Sequence, residues 1–444
     1  MESVKQTFKT IIRDNQQRFP VKLHPRQGYI PVEAERIITL TGARRTGKTF
    51  TQFQLINTLL DQKKADPTQV VYINLEDDRL FPLNLEKLGL LPEAYYELYP
   101  NNRETKVWFF LDEIQIVPEW ERFVRRLHDG EECQIIITGS SSSLLSREIA
   151  TRLRGRTLSY EIFPFSFTEV SDFKQVSADL HASDSTAKLR HTMHKYLEAG
   201  GFPEIVHLAT DEHSPGIYQK IWQEYIDLIL FRDIIERHQV SNTWLLKFYL
   251  KFLLTNSSNL ISIQKIYRDF KSQGIKVSKN SLYEYLAYME EAYALFTVPL
   301  YTDNLREQQR NPRKVYPLDL GLKRAVSGSR DAGRDLEALV FQQLRRFYSD
   351  INSRKGDQEV DFLVPKKAGA EDLPLLINVC ATLEDMDTRK REISGLKEAA
   401  SELGLSCCFI ITLDEEETLN LERLNGSPLE IKIIPYWKWC FDFN

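Results

Sequence analysis

The stretch Thr41-Gly42-Ala43-Arg44-Arg45-Thr46-Gly47-Lys48-Thr49 decides how this chain is read. An apolar run, Arg36-Ile37-Ile38-Thr39-Leu40, leads into it, and the helix-like Phe50-Thr51-Gln52-Phe53-Gln54-Leu55-Ile56 leads out. Gly42, Gly47, Lys48 and Thr49 fit the pattern G-x-x-x-x-G-K-[ST] of a phosphate-binding loop. Glycines let the backbone wind its N–H groups around phosphate oxygens, and the helix that follows adds partial positive charge at its N-terminus. The spacing assigns Lys48 to the β- and γ-phosphates and the Thr49 hydroxyl to Mg²⁺. Ala43, Arg44, Arg45, Thr46 and Phe50 complete the expected nucleotide cradle, with Arg44 or Arg45 free to reach another part of the chain. The pattern arises by chance in roughly one chain in a hundred of this length. A strand before it and a helix after it argue against a bare glycine turn, so ATP and Mg²⁺ are the expected ligands.

Outward from this loop, 444 residues suggest two to four domains with material for a sizeable core. No apolar run spans a bilayer, because Asp227, Lys247 and Lys251 interrupt the most apolar helical stretches. The N-terminal residues lack the apolar core of a signal peptide. Five cysteines (133, 380, 407, 408 and 440) show no metal-ligand spacing and read as reduced thiols, so the expected compartment is the cytoplasm. A net charge of −5 does not predict general polyanion binding, and any nucleic-acid contact must come from a local patch.

Upstream of the loop, residues 1–35 read as a helix and an irregular lead-in containing Pro20, Pro25 and Pro31. This lead-in is either a wall of the nucleotide site or an ordinary surface connection. Downstream, Gln69–Asn74 reads as a buried strand ending in Glu76-Asp77-Asp78, a solvated turn or a group of carboxylates near the ligand. The next strand, Val107–Leu111, ends in Asp112-Glu113. An apolar strand closing on an acid, downstream of a phosphate loop, is the Walker B arrangement: Asp112 for the metal, Glu113 as general base for the attacking water. The strand Gln134–Thr138 ends in Gly139-Ser140-Ser141-Ser142-Ser143, where Ser140 either orients that water or caps a helix. In Arg152-Leu153-Arg154-Gly155-Arg156 an arginine, with Arg156 the candidate, stabilises phosphoryl charge or forms a solvated turn.

The order of these motifs, followed by Phe163-Pro164-Phe165-Ser166-Phe167-Thr168-Glu169, Gly200-Gly201-Phe202-Pro203-Glu204 and Arg232-Asp233-Ile234-Ile235, resembles the prokaryotic AAA-type ATPases that carry a C-terminal DUF4143 domain. The resemblance implies an ATPase core with a five-stranded parallel sheet and a helical lid, and an Arg152–Arg156 segment facing nucleotide or a neighbouring subunit.

Residues 185–240 carry apolar residues at helical spacing. Helices at 245–250, 261–270 and 278–289 and the strand-like 295–300 then suggest a winged helix-turn-helix. Its third helix would read DNA with Ser278, Lys279, Asn280 and Tyr283, and Arg306, Arg310, Arg313 and Lys314 would contact phosphates from the wing. Protein docking is the other use of such a module. The last part resembles the restriction-endonuclease-like fold, with Glu337 on a helix and Asp361 on a strand. Asn378 and Cys380 stand where that pattern wants an acid and a lysine, so metal-dependent cleavage is not expected.

The chain is therefore read as an α/β P-loop NTPase of AAA type with a helical lid, a winged helix-turn-helix and a degenerate nuclease-like α/β domain. The expected divisions are 1–170, 171–240, 241–330 and 331–444. Its expected activity is Mg²⁺-dependent ATP hydrolysis coupled to rearrangement of a DNA-binding C-terminal half, with self-association and no membrane contact. An ATP-dependent signalling switch that docks a protein is the rival.

Overall fold

The computed structural model describes residues 2–139, 153, 155–180, 182–208, 215–302, 304, 312–328, 330–365 and 374–443. The chain forms two units, Met1–Phe163 and Pro164–Asn444.

In the first unit five strands lie in one parallel sheet: β1 (Ile37–Thr41), β2 (Val70–Asn74), β3 (Val107–Asp112), β4 (Cys133–Gly139) and β5 (Thr157–Glu161), in the order β2-β3-β4-β1-β5. Strand geometry sends alternate side chains to opposite faces, which is why these runs are apolar throughout. Phe109 and Leu111 of β3 join a core with Phe8, Tyr95 and Phe123 from the helices Glu2–Arg18, Leu91–Leu98 and Trp120–Gly130. Trp108 and Phe110 point the other way, to Phe53, Ile56 and Leu59 of the helix Lys48–Asp61. The four strands expected from sequence are present, and the fifth, Thr-Leu-Ser-Tyr-Glu, is too polar to have been read as one.

The lead-in lies on the surface of the helix that follows the loop. The Asn57 amide bonds both backbone groups of Val21, and the Gln54 amide both backbone groups of Arg26. Two side chains one turn apart thus do for this strap what a neighbouring strand would do.

In the second unit, helices Phe167–Phe173, Ser183–Ala199, Pro203–Leu208 and Pro215–Leu228 come first, the last continuing into a π-helical segment, Ile229–Glu236. Ser166 and Glu169 form a capping box at the first of them, which accounts for the Ser-Phe-Thr-Glu spacing. Helix Thr243–Thr255, strand β6 (Leu260–Ile261), helices Ile263–Ser272 and Lys279–Glu291, and strands β7 (Leu295–Pro299) and β8 (Arg313–Pro317) follow, with a sheet in the order β6-β8-β7. After helix Ala332–Phe347 comes a six-stranded sheet of β9 (Asn352–Lys355), β10 (Glu359–Val364), β11 (Leu375–Val379), β12 (Cys407–Thr412), β13 (Glu417–Glu422) and β14 (Pro428–Pro435), ordered β13-β14-β12-β11-β10-β9. Helix Met386–Leu403 covers one face through Leu396 and Ala399. The other face shares a core with Phe167, Tyr196, Tyr316 and Leu339, so the early helices, the three-stranded sheet and the six-stranded sheet are packed as one body.

Candidate functional site

The phosphate loop lies at the C-terminal end of β1, where open parallel sheets place their ligands. Gly42 has φ 144°, and a Cβ there would stand 2.2 Å from the Ile162 carbonyl oxygen, so no other residue fits. Gly47 has φ 99° and caps the helix Lys48–Asp61. Arg45 also has positive φ, 67°. Thr46 is buried and its hydroxyl donates to Ala43 O at 2.9 Å, closing the loop from within. Lys48 Nζ donates to the carbonyls of Gly42 and Ala43 at 3.0 and 2.9 Å, which holds the ammonium across the loop. Arg44 reaches Glu76 at 3.8 Å, an ion pair between the loop and the turn after β2. Phe50 is exposed and meets Phe53 edge to face at 5.7 Å.

Asp112 ends β3 and is almost wholly buried. Three hydroxyls donate to its carboxylate: Thr49 at 2.7 Å and Tyr72 at 3.0 Å to Oδ2, and Thr138 at 2.5 Å to Oδ1. Burial pushes its pKa up, neighbouring Glu113 adds to this, and the Thr138, Thr49 and Tyr72 hydrogen bonds oppose it. Burial and the Asp112 charge likewise push the Tyr72 phenol far above its usual range. Glu113 turns in the left-handed region (φ 54°), donates its N–H to Thr138 Oγ at 2.8 Å, and accepts a hydrogen bond from the Gln115 amide. The Thr49 hydroxyl and the Asp112 carboxylate, two hard oxygen donors in contact beside the loop, suit Mg²⁺.

The structure therefore brings Gly42, Gly47, Lys48, Thr49, Asp112 and Glu113 to one sheet edge. It does not bring Arg156 there. Arg156 stands at the head of β5, its carbonyl accepting from Ile37 N–H at 2.8 Å, while its guanidinium binds both Asp129 oxygens at 2.7 Å. A five-residue strand, about 16 Å at the usual rise, separates it from the loop, so Arg156 is no phosphate contact within this chain. Ser140, Arg152 and Arg154 lie outside the described residues.

Sequence reasoning missed four residues at this edge. Tyr72 and Thr138 looked like ordinary strand positions. Gln115 lies just past the acidic pair. Arg26, from the lead-in, donates to Thr46 O and to Phe163 O, each at 2.8 Å. Only Thr138 had a signal, as the last polar side chain of the strand beside Asp112.

In the second unit Glu337 and Asp361 are brought together, with Lys314 between them. Its ammonium is 2.9 Å from Glu337, 2.7 Å from Asp361 and 2.7 Å from Glu359. Tyr316 also donates to Glu337, at 2.7 Å. Burial opposes the Lys314 charge, but the carboxylates, Asp361 first, raise its pKa well above 10.5. Burial and then Asp361 push Glu337 up to about 8, against the pull of Lys314 and Tyr316. Two expectations change. Lys314 is buried and engaged, so it is no wing contact to phosphate. And a lysine does reach the acids, from β8 rather than from β11, where Asn378 bonds Glu392 at 2.8 Å. Among the described residues no group of three or more His, Cys, Asp or Glu side chains forms a metal site. Nor is any described helix long and apolar enough to cross a membrane.

Residues 34–171 match the family described as an AAA domain, and residues 190–332 match a domain of unknown function, DUF8612. The latter replaces the DUF4143 assignment expected from the motifs. Among solved structures the chain is similar to the Walker-type ATPase PABY2304 of Pyrococcus abyssi, at 14% identity and a TM-score of 0.42, covering 72% of this chain and 95% of that one. An uncharacterized protein of Haemophilus influenzae is 31% identical over 75% of this chain and 80% of its own. The uncharacterized protein MJ1544 of Methanocaldococcus jannaschii is 35% identical over 98% of this chain and 95% of its own. The chain carries a P-loop AAA domain and belongs to the family of MJ1544.

Proposed function

We propose that the first unit binds Mg²⁺–ATP and hydrolyses it, and that its nucleotide state rearranges the second unit, whose ligand is DNA. The observation that carries the first half is the meeting of Lys48, Thr49 and Asp112 beside two positive-φ glycines, with Glu113 next in line. The loop amides and Lys48 hold the phosphates, and Thr49 and Asp112 hold the metal, which neutralises charge on the β- and γ-oxygens. Glu113, fixed through its own N–H and through Gln115, takes the proton of the attacking water. Because the pKa of Asp112 is raised by burial, Mg²⁺ competes with a proton there and binding weakens as pH falls.

The second half rests on element order. Helix, strand, helix, helix, strand, strand over 243–317 is the order of a winged helix-turn-helix, with Lys279, Asn280 and Tyr283 exposed on the third helix. Ser278, also exposed, caps that helix by accepting from Ser281 N–H at 3.0 Å. We retain a lid at 171–240, a winged helix at 241–330 and a nuclease-like module at 331–444. We read the last as non-cleaving, because the Lys314 ammonium lies among its acids. The cytoplasm and self-association complete the reading.

Protein docking remains the second reading for 241–330. The burial of Lys314 on β8 and the exposure of Glu284 on the helix Lys279–Glu291 favour it. Titration of the full chain with labelled ATP, and separately with duplex DNA at two salt concentrations, tests both halves. The proposal expects Mg²⁺-dependent ATP binding lost in Lys48→Ala, and DNA affinity that falls with salt and with Lys279→Ala. ATP binding unaffected by Lys48→Ala would remove the first half. Absence of salt-sensitive DNA binding would leave docking of a protein.

A further inference from the structure

The chain passes from the first unit to the second at Phe163–Pro164. Two consecutive backbone carbonyls at this point are each held by a guanidinium. On the first unit's side Arg26 forks: one terminal nitrogen donates to Thr46 O in the phosphate loop, the other to Phe163 O, both at 2.8 Å. On the second unit's side Arg346 donates to Pro164 O at 2.5 Å and stands 3.9 Å from Glu169.

The loop touches the same strand end a second time. Ile162 N–H donates to Thr41 O at 2.7 Å, and Gly42 packs so closely on Ile162 O that it cannot carry a side chain. Beyond the junction, Phe165 N–H donates to Gly201 O at 2.7 Å, and the Tyr196 hydroxyl donates to Phe165 O at 2.8 Å. A Cβ on Gly201 would stand 2.2 Å from Phe165 O, so this side is tight as well. Proline fixes its own φ and keeps the residue before it extended, so a displacement of Phe163 is passed along the chain rather than absorbed by rotation.

We infer that Arg26 is a positioning residue that couples the phosphate loop to the Phe163–Pro164 junction, with Arg346 as the grip on the far side. The inference rests on the nucleotide reading above. Winding around a phosphate reorients the Thr46–Gly47 peptide, and Thr46 O is the atom that one arm of Arg26 holds. A guanidinium presents its donors in a rigid plane, so a shift at one carbonyl moves the other. Packed elements convert such small shifts into discrete rearrangements. A merely structural staple at Arg26 would hold the lead-in in place without responding to nucleotide.

Hydrogen exchange of the full chain, with and without Mg²⁺–ATP, separates the two roles, with ATP affinity measured on the same samples. In the wild-type protein ATP slows exchange of the Ile162 and Phe165 amides by about tenfold, the size of one hydrogen bond to a charged group. In Arg26→Met that response disappears at both amides while ATP still binds. The backbone bonds of Arg26 to Gln54 do not need its side chain, so the strap stays seated. In Arg346→Met the response persists at Ile162 and disappears at Phe165. Should Arg26→Met fail to fold, Arg26→Lys serves, since an ammonium lacks the rigid planar fork that makes the two carbonyls move together. An undiminished response in the Arg26 variant overturns the inference, as does ATP binding to the wild-type chain with no change at either amide. A wild-type chain that does not bind ATP fails earlier, at the nucleotide reading, and takes the inference with it.

Discussion

Asp112 is held by three hydroxyls from three elements, and Thr138 does double service there. It donates to Asp112 and accepts from the Glu113 amide, so it fixes the proposed metal ligand and the proposed base together. Thr138→Val keeps the shape and removes both bonds. Leaving the half-buried Glu113 N–H unpaired costs up to about 1–3 kcal/mol of folding stability, which urea unfolding reads. The loss of a donor to the charged carboxylate pushes the Asp112 pKa further up. The acid limb of Mg²⁺–ATP binding therefore moves to higher pH in the variant, and a limb that stays in place contradicts this assignment. Gly42 makes a second residue-scale prediction. Gly42→Ala forces the loop away from Ile162 O and is strained at positive φ, so ATP affinity falls while the rest of the unit stays folded. Retained affinity, measured by titration, would mean the loop has room that the structure does not show.

At the scale of elements, the second unit's three-stranded sheet is tied to its six-stranded sheet by the Lys314 cluster and by the bridge between Leu300 and Ser353. Removing one partner from a buried ionic cluster costs about 3–5 kcal/mol, because the others remain buried and uncompensated. Lys314→Met leaves buried Glu337 and half-buried Asp361 without their cation, while exposed Glu359 can turn to water. A carboxyl whose folded pKa is raised, as that of Glu337 is, favours the fold when protonated and loses that contribution as pH rises through the folded pKa. The deficit of Lys314→Met therefore grows from pH 7 to pH 9, where Glu337 ionises beside the lysine but stays protonated without it, as urea unfolding at the two values will report. An equal deficit at both would mean the cluster contributes packing rather than charge.

These clusters also mark where sequence reading stops. The four apolar strands and the phosphate loop were legible because each announces itself locally, by an unbroken apolar run or by glycines at fixed spacing. Edge strand β5 was not, since its faces are only half buried and its residues are mixed. Arg156 could not be set apart from the phosphate site of its own chain by sequence, because proximity to β5 says nothing of which end of the strand it occupies. Lys314 and Arg26 act on partners more than 20 and 130 residues away along the chain, at Glu337 and Phe163, and no local pattern encodes that. Asn378 and Cys380 drew attention to Glu337 and Asp361, but the cation between those two acids comes from another strand, β8, which no local pattern announced.

At the scale of the whole molecule, the first unit carries the phosphate loop and the acids Asp112 and Glu113, the second carries the proposed partner-binding part, and Phe163–Pro164 is the covalent link between them. The account stands or falls on whether the first unit turns ATP over through Glu113. The most direct measurement is steady-state ATP hydrolysis by the full chain with Mg²⁺, beside Glu113→Gln, with ATP binding measured on both. The account predicts measurable turnover in the wild-type chain, and in the variant a rate lower by about 10²–10⁴, the usual contribution of a positioned general base, with ATP binding retained. Equal hydrolysis by the two proteins, or no hydrolysis by a wild-type chain that binds ATP, would contradict it.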